Sequence, residues 1–341
     1  MQPSILIIYT GGTIGMVQRP EDGSLAPVNF DELSKEIPML NKFGYHISSI
    51  TFDPVLDSSN VTPDFWMKLA ETVEQNYEQY DGFVILHGTD TMAYTASALS
   101  FMFENLDKPV ILTGAQLPIG TLRTDGKENL LTAVEIAAAK HDGLPNVPEV
   151  CIYFNSKLFR GNRTTKIDSL QFKAFDSKNY PPLASAGVEI KYASEFVNRT
   201  TNKGIFKVNR NIDPHVVILK IFPGIQESIV EAIIEIEGLR GIVLESFGSG
   251  NVPEFAWFSK LIEKAIKKGI IIVNVSQCAG GRVMMGLYQT SVDLQRQGVV
   301  SAYDMTTEAA VSKLMFLLGQ GLSYAEVKKY LNQNLKGEIT I

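Results

Sequence analysis

The chain has 341 residues, 45% of them hydrophobic, which is too long for one ordinary core and leads us to expect two well-buried domains. Its 31 basic and 37 acidic residues give a formal net charge of -6 with no Lys/Arg block, which argues against nucleic acid as a partner and in favour of a small molecule. The N-terminal MQPSILIIYTGG lacks a basic start and a small-residue cleavage site, and no apolar run approaches the roughly 20 residues of a membrane span, so a cytoplasmic chain with no membrane partner is expected.

The first element is Ile5 to Met16, ILIIYTGGTIGM, an apolar run of strand length that ends in Thr10, Gly11-Gly12 and Thr13. Glycines let backbone approach a bound group closely, and in open α/β sheets ligands sit beyond the carboxyl ends of the strands. Thr13 is therefore a candidate nucleophile; a threonine that merely fits the turn or caps the next segment is the plainer alternative. Residues Val17 to Asn29 are polar and broken by Pro and Gly, and read as an exposed loop, either a lid or a connector. ISSITFDPVLDSSNVTP then carries a strand into Asp57-Ser58-Ser59, and Thr62-Pro63-Asp64 opens a helix with Phe65, Leu69 and Val73 on one face.

A second strong strand, Gly82 to Leu86, ends in His87-Gly88-Thr89-Asp90-Thr91, and a third, Pro109 to Leu112, ends in Thr113-Gly114-Ala115-Gln116. Asp90 and Thr91 have an ordinary alternative role as caps of the helix that follows. Separate caps would explain each cluster on its own, whereas a shared pocket at the carboxyl edge of one sheet explains all three. Asp125 to Lys140 reads as an amphipathic helix, and the strand Val150 to Phe154 leads into NSKLFRGNRTTKIDS, where Arg160, Arg163 and Lys166 crowd among Gly, Asn and Thr. A solvated basic loop is one reading of that run. The other is chemical: a lysine beside Thr and Asp is what a hydroxyl nucleophile needs when no histidine serves as its base.

Proline and weak patterning from Asn179 to Asn211 mark a boundary, which gives an N-terminal α/β domain at 1–190, a linker at 191–212 and a smaller α/β domain at 213–341. The second domain runs through HVVILKIFPG, a helix through Ile236, GIVLESFGSGN, a helix from Pro253 to Lys268, GIIIVNVSQCAGG and two closing helices. Strand-like and helix-like segments alternate throughout, the pattern of a parallel sheet with covering helices. Cys151 and Cys278 lie far apart in β-like or post-strand contexts and read as buried free thiols. His46, His87, His141 and His215 complete no ligand spacing, so neither a metal nor a cofactor is implied.

YTGGTIGM, DSS, LHGTDTMAYTASALSFM, TGAQLP, RGNRTTK and SQCAGG follow one another as in bacterial-type L-asparaginases, and the chain resembles the cytoplasmic type I branch along nearly its whole length. The resemblance implies a doubly wound, mainly parallel N-terminal domain, a smaller α/β C-terminal domain, and a homodimer or homotetramer. It also implies hydrolysis of the side-chain amide of L-asparagine, without a cofactor, to aspartate and ammonia. Thr13 matches the attacking threonine, and Thr89, Asp90 and Lys166 match a second hydroxyl, acid and lysine group, with Thr89 activated by Lys166. A lysine base must be neutral when it acts, which burial and a neighbouring cation such as Arg163 would favour. Asp90 suits the substrate ammonium, Ser58 with Asp57 and Ser59 suits its carboxylate, and the Ala115 backbone lines the pocket.

Two departures stand out. The loop after the nucleophile has no tyrosine in GSLAPV, Gly23 to Val28, where family members often carry one. Where regulated type I enzymes place an arginine before the Ser-aromatic-Gly of the second domain, this chain has Glu245, which leaves Thr165 and Cys278 as the other remnants of an effector pocket. Among rival classes, a phosphate or flavin module lacks support because GGTIGM has neither a P-loop lysine nor G-x-G-x-x-G spacing. A nonenzymatic asparagine sensor would have no use for Lys166. A glutaminase-asparaginase, or an amidase for a larger conjugate, differs by contacts as small as one methylene, worth about 1 to 3 kcal/mol.

Overall fold

The apolar runs Ile5 to Tyr9, Gly82 to Leu86, Val110 to Thr113 and Val150 to Phe154 are buried along their whole length, as strands covered on both faces of a sheet must be. In the computed structural model, which describes residues 2–18, 25–27, 30, 35, 37–199, 204–286 and 289–341, they form the centre of an eight-stranded sheet. The chain divides into two units, residues 1–210 and 211–341.

In the first unit the sheet is built from β1 (Ser4–Gly11), β2 (His46–Leu56), β3 (Gly82–Leu86), β4 (Val110–Thr113), β5 (Val150–Phe154), β6 (Lys157–Arg160), β9 (Ala184–Ala186) and β10 (Ile190–Tyr192). A separate two-stranded hairpin, β7 (Thr165–Lys166) with β8 (Phe175–Asp176), stands between β6 and β9 in the chain. The order across the sheet is β10-β9-β6-β5-β4-β3-β1-β2, parallel from β5 to β2 and antiparallel from β5 to β10. The chain goes from β1 to β2 on one side and returns to β3 on the other, so strand order reverses at β1. Such a reversal opens a crevice at the carboxyl ends.

Helices α1 (Pro63–Asn76), α2 (Met92–Met102) and α3 (Gly126–Ala138) cover the sheet. Thr62 precedes α1 in an extended conformation and Pro63 takes its first turn, so the helix starts where a missing N–H costs nothing, and it buries Phe65, Trp66, Leu69, Ala70 and Val73. One sheet face, with Ile5, Ile7, Tyr9, Val84, Leu86 and Ile111, packs with Leu130, Ala133 and Val134 of α3. On the opposite face, Tyr77 just past α1 stacks on Phe83 at 6.0 Å.

In the second unit β11 (Val216–Lys220), β12 (Gly241–Ser246), β13 (Ile271–Ser276) and β14 (Val300–Ser301) form an all-parallel sheet in that order. It carries α4 (Glu227–Ile234), α5 (Ala256–Lys267), α6 (Gln289–Gln297), α7 (Thr307–Gly319) and α8 (Tyr324–Leu331). Thr306 caps α7 through Ala309 N, and Ser323 and Glu326 form a capping box on α8. Lys313 of α7 is fully buried; its Nζ lies 2.5 Å from Glu338 Oε1 and donates to the carbonyls of Leu331 and Gln333.

Three details depart from the sequence reading. The helix expected to Lys140 stops at Ala138, because Asp142 and Gly143, both at positive φ, turn Lys140–His141 back onto Leu144–Pro145 in a tight hairpin. The polar QTSVDLQRQ forms α6, a helix that carries too few apolar residues to announce itself. Cys151 is buried and free as expected, but Cys278 is exposed, since it lies beyond the end of β13.

Candidate active site

The clusters that end β1, β2 and β3 meet at the reversal point, and two glycines show how closely. Gly12 has φ +87°, and a Cβ there would lie 2.5 Å from Gly88 Cα; a Cβ on Gly88 would lie 2.5 Å from Ser58 Oγ. No other residue fits at Gly12, and a side chain at Gly88 would have to displace Ser58. The turns bearing Thr13 and Thr89 therefore meet backbone to backbone, and the Thr89 turn meets the Ser58 side chain. Thr13 opens a single 3-10 turn, Thr13–Gly15, and is half-buried. The Tyr9 hydroxyl, whose pKa burial pushes up to about 12, donates to Gly15 O at 3.1 Å and pins that turn.

At the β3 end, Lys166 Nζ reaches in from β7 and donates to Thr89 Oγ1 at 2.8 Å and to Asp90 Oδ1 at 2.6 Å. Asp90 Oδ2 makes no hydrogen bond among the described residues, and Asp90 is largely exposed. Thr91 stands at the N-cap of α2 but makes no side-chain cap; its hydroxyl instead donates to Ser58 O at 2.7 Å and joins the second and third clusters. Lys166 thus faces a carboxylate and a hydroxyl. Arg163, expected beside it, lies with its guanidinium 5.1 Å from the centre of the Tyr180 ring.

Ser58 is buried, while Ser59 bonds Asp57. The backbone and hydroxyl donors of Ser59 hold Asp57 below the usual carboxylate range, so Asp57 serves as a local cap with one oxygen occupied. Ala115 is buried at the end of β4, its methyl 3.0 Å from where a Cβ on Gly126 would sit. Thr165 pairs with Asp176 in the first unit. In the second unit, Glu245 accepts from Thr307 Oγ1 at 2.7 Å and pairs with Lys220 at 3.1 Å, and Cys278 N donates to Ser276 Oγ at 3.1 Å. The hairpin Met16–Gln18 with Leu25–Pro27 occupies part of the expected lid; residues 19–24 and 28–29, and with them much of the stretch lacking a tyrosine, lie outside the described residues.

Four supporting residues went unrecognised in the sequence reading. His87 is wholly buried, with Nδ1 2.7 Å from Gly88 O and Nε2 3.0 Å from Thr95 Oγ1, which in turn accepts from Trp66 Nε1 at 3.1 Å. Since Gly88 O only accepts, Nδ1 carries the proton and Nε2 accepts from Thr95. Burial lowers the His87 pKa to about 4, so the ring is neutral and locks the Gly88 peptide. Asp125 takes the backbone N–H of Gln116 and Leu117, and the Gln116 side chain reaches Thr89. Tyr9 was read only as part of the strand. What such an assembly can do is acyl transfer: hydroxyls at a crevice, a lysine in contact with one of them, and a carboxylate with a free oxygen for a cationic group.

The family model "Asparaginase, N-terminal" matches residues 4–198, and "Glutaminase/Asparaginase C-terminal domain" matches residues 215–331. The chain is 43% identical to L-asparaginase 1 of Escherichia coli strain K12 over 345 residues, covering 99% of this chain and 98% of that protein. It is 42% identical to the 60 kDa lysophospholipase of Mus musculus over 99% of its own length, and spans 62% of that longer protein. Among solved structures, L-asparaginase I of Vibrio cholerae superposes with a TM-score of 0.90 at 41% identity, covering 100% of both chains. Among the described residues no helix is long and apolar enough to cross a membrane.

Proposed function

The chain belongs to the asparaginase family, and from that premise we propose that it hydrolyses L-asparagine to L-aspartate and ammonia through a threonine acyl-enzyme. That it is an enzyme of this family follows from the full-length likeness; the residue roles are our reading. The observation that carries them is the Lys166 ammonium bonded to Thr89 and Asp90, on a turn in backbone contact with that of Thr13.

Thr13 Oγ1 attacks the side-chain amide carbon and loses its proton as the tetrahedral intermediate forms; the amide nitrogen takes a proton and departs as ammonia. Water, relieved of a proton through Thr89 and Lys166, then attacks the ester carbon and releases aspartate while Thr13 regains its hydrogen. Asp90 Oδ2 receives the substrate ammonium and the Ser58 hydroxyl its α-carboxylate. Since one methylene is worth about 1 to 3 kcal/mol, weak glutamine hydrolysis accompanies the main activity. We place the enzyme in the cytoplasm as a homodimer or homotetramer.

Ammonia release measured side by side with L-asparagine, L-glutamine and D-asparagine tests the assignment. L-asparagine is expected to lead, Thr13→Ala to abolish turnover without unfolding, and Lys166→Met to cost on the order of 10² in kcat. Wild-type kcat in Thr13→Ala would sink the nucleophile.

A further inference from the structure

Gln116 spans two parts of the site that the backbone does not join. Its Nε2 donates to Gln171 O at 3.1 Å, and Thr89 Oγ1 lies 3.4 Å from its Oε1. Gln171 stands in the loop between β7 and β8, the hairpin that delivers Lys166. That loop is a compact turn in its own right, with Asp168 Oδ1 accepting from the N–H of Leu170 and Gln171, and Ile167 N donating to Ala174 O. The backbone of Gln116 is equally fixed, since its N–H bonds both oxygens of Asp125 at 3.1 and 3.0 Å. One side-chain amide thus connects the Lys166 hairpin to the Thr89 turn.

The orientation of this amide follows from chemistry. A backbone carbonyl only accepts, so Nε2 must face Gln171 and Oε1 must face Thr89. Oε1 also only accepts, so the Thr89 hydrogen turns toward Gln116 and the Thr89 oxygen presents its lone pairs to the Lys166 ammonium. At 3.4 Å the O–H bond to Gln116 is long and weak. The hydrogen thus points away from Lys166, held by that weak bond alone.

We propose that Gln116 is a positioning residue for the Thr89–Lys166 pair: it sets the distance between hairpin and turn, and it sets which way the Thr89 hydroxyl points in the resting enzyme. This rests on the reading of Thr89 and Lys166 as catalytic partners. Asp90 and Lys166 on the far side of Thr89, Asp125 under the Gln116 backbone and Asp168 in the hairpin loop are the charged groups around it.

The test measures kcat and KM for L-asparagine from acid to alkaline pH in wild type, Gln116→Met, Gln116→Glu and Lys166→Met. Gln116→Met keeps the length and loses both polar contacts; kcat is expected to fall about tenfold or more with KM nearly unchanged, as for a misplaced group. Gln116→Glu keeps the shape. Ionised, it cannot donate to Gln171 O; protonated, it can, so its activity relative to wild type is expected to rise as pH falls. A filler role would lower the melting temperature and leave both readouts flat. Wild-type kcat in Gln116→Met, or a pH-independent ratio for Gln116→Glu should the methionine variant not fold, overturns the proposal. Undiminished activity in Lys166→Met would instead overturn the catalytic pair itself.

Discussion

Gly88 leaves no room for a side chain against Ser58, because an added Cβ would lie 2.5 Å from Ser58 Oγ and 2.7 Å from Ser58 Cβ. Gly88→Ala must therefore push Ser58 out of place. Overpacking of this kind costs about 1 to 3 kcal/mol, and a catalytic group misplaced by about 1 Å costs about 10² in rate. The variant is expected to keep its far-UV dichroism, melt a few degrees lower and lose nearly all ammonia release. A Gly88→Ala enzyme of normal activity would show that Ser58 is not held where substrate needs it.

His87 predicts a particular response to acid. In the folded chain its pKa is lowered to about 4 from an ordinary 6.5 by burial. As pH falls through that window the unfolded chain binds the proton and the folded chain does not. Stability that is present above 6.5 is lost toward 4, on the order of 3 kcal/mol at about 1.36 kcal/mol per unit. Melting temperatures at about pH 7 and about pH 5 read this. His87→Gln should be less stable at neutral pH but lose less on acidification. An identical loss in both proteins would place the acid sensitivity elsewhere.

Glu245 predicts hyperbolic kinetics. Lys220, opposite it in register on the neighbouring strand, binds one of its oxygens and Thr307 the other. The resemblance implies that an arginine at this place would clamp a carboxylate through charge-assisted N–H donors. Glu245 has no such donors, and both its oxygens are already taken by Lys220 and Thr307. Initial rates from far below to far above KM should give a Hill coefficient of one, and a value clearly above one would overturn this reading of Glu245.

The buried pair of Lys313 and Glu338 separates charge from packing. Glu338 also accepts from the N–H of Leu335 and Lys336, so removing either charge strands the other. Glu338→Gln is expected to cost about 3 to 5 kcal/mol in chemical denaturation, and Lys313→Met with Glu338→Leu far less. Equal losses in single and double variants would mean that the pair's hydrogen bonds, not its charge balance, hold the tail.

The parts of this site that were legible in the sequence are those whose role is local. An apolar run that ends in glycine and a hydroxyl announces a strand end, which is how Thr13, Thr89 and Asp90 stood out, and the ordered motifs gave away the family. In sequence Gln116 is one more member of a strand-end cluster, because its partner Gln171 is 55 residues away. His87 was discounted for lacking ligand spacing; its function lies in one carbonyl and one hydroxyl, which spacing cannot reveal. In Asp57-Ser58-Ser59 the sequence names the group but not the division of labour within it: the Asp57 carboxylate caps Ser59, while Ser58 is buried.

The contact of Gly12 with Gly88 bears on how this enzyme can change over generations. Two turns that touch through bare backbone can neither grow nor slide, so the spacing between the Thr13 and Thr89 turns is closed to point mutation. Divergence toward a longer or differently charged amide must then run through side chains around that fixed seam, such as Gln116 and the hairpin it holds. Selection for new substrates is channelled to the rim, and the interval between the two threonines is inherited unchanged.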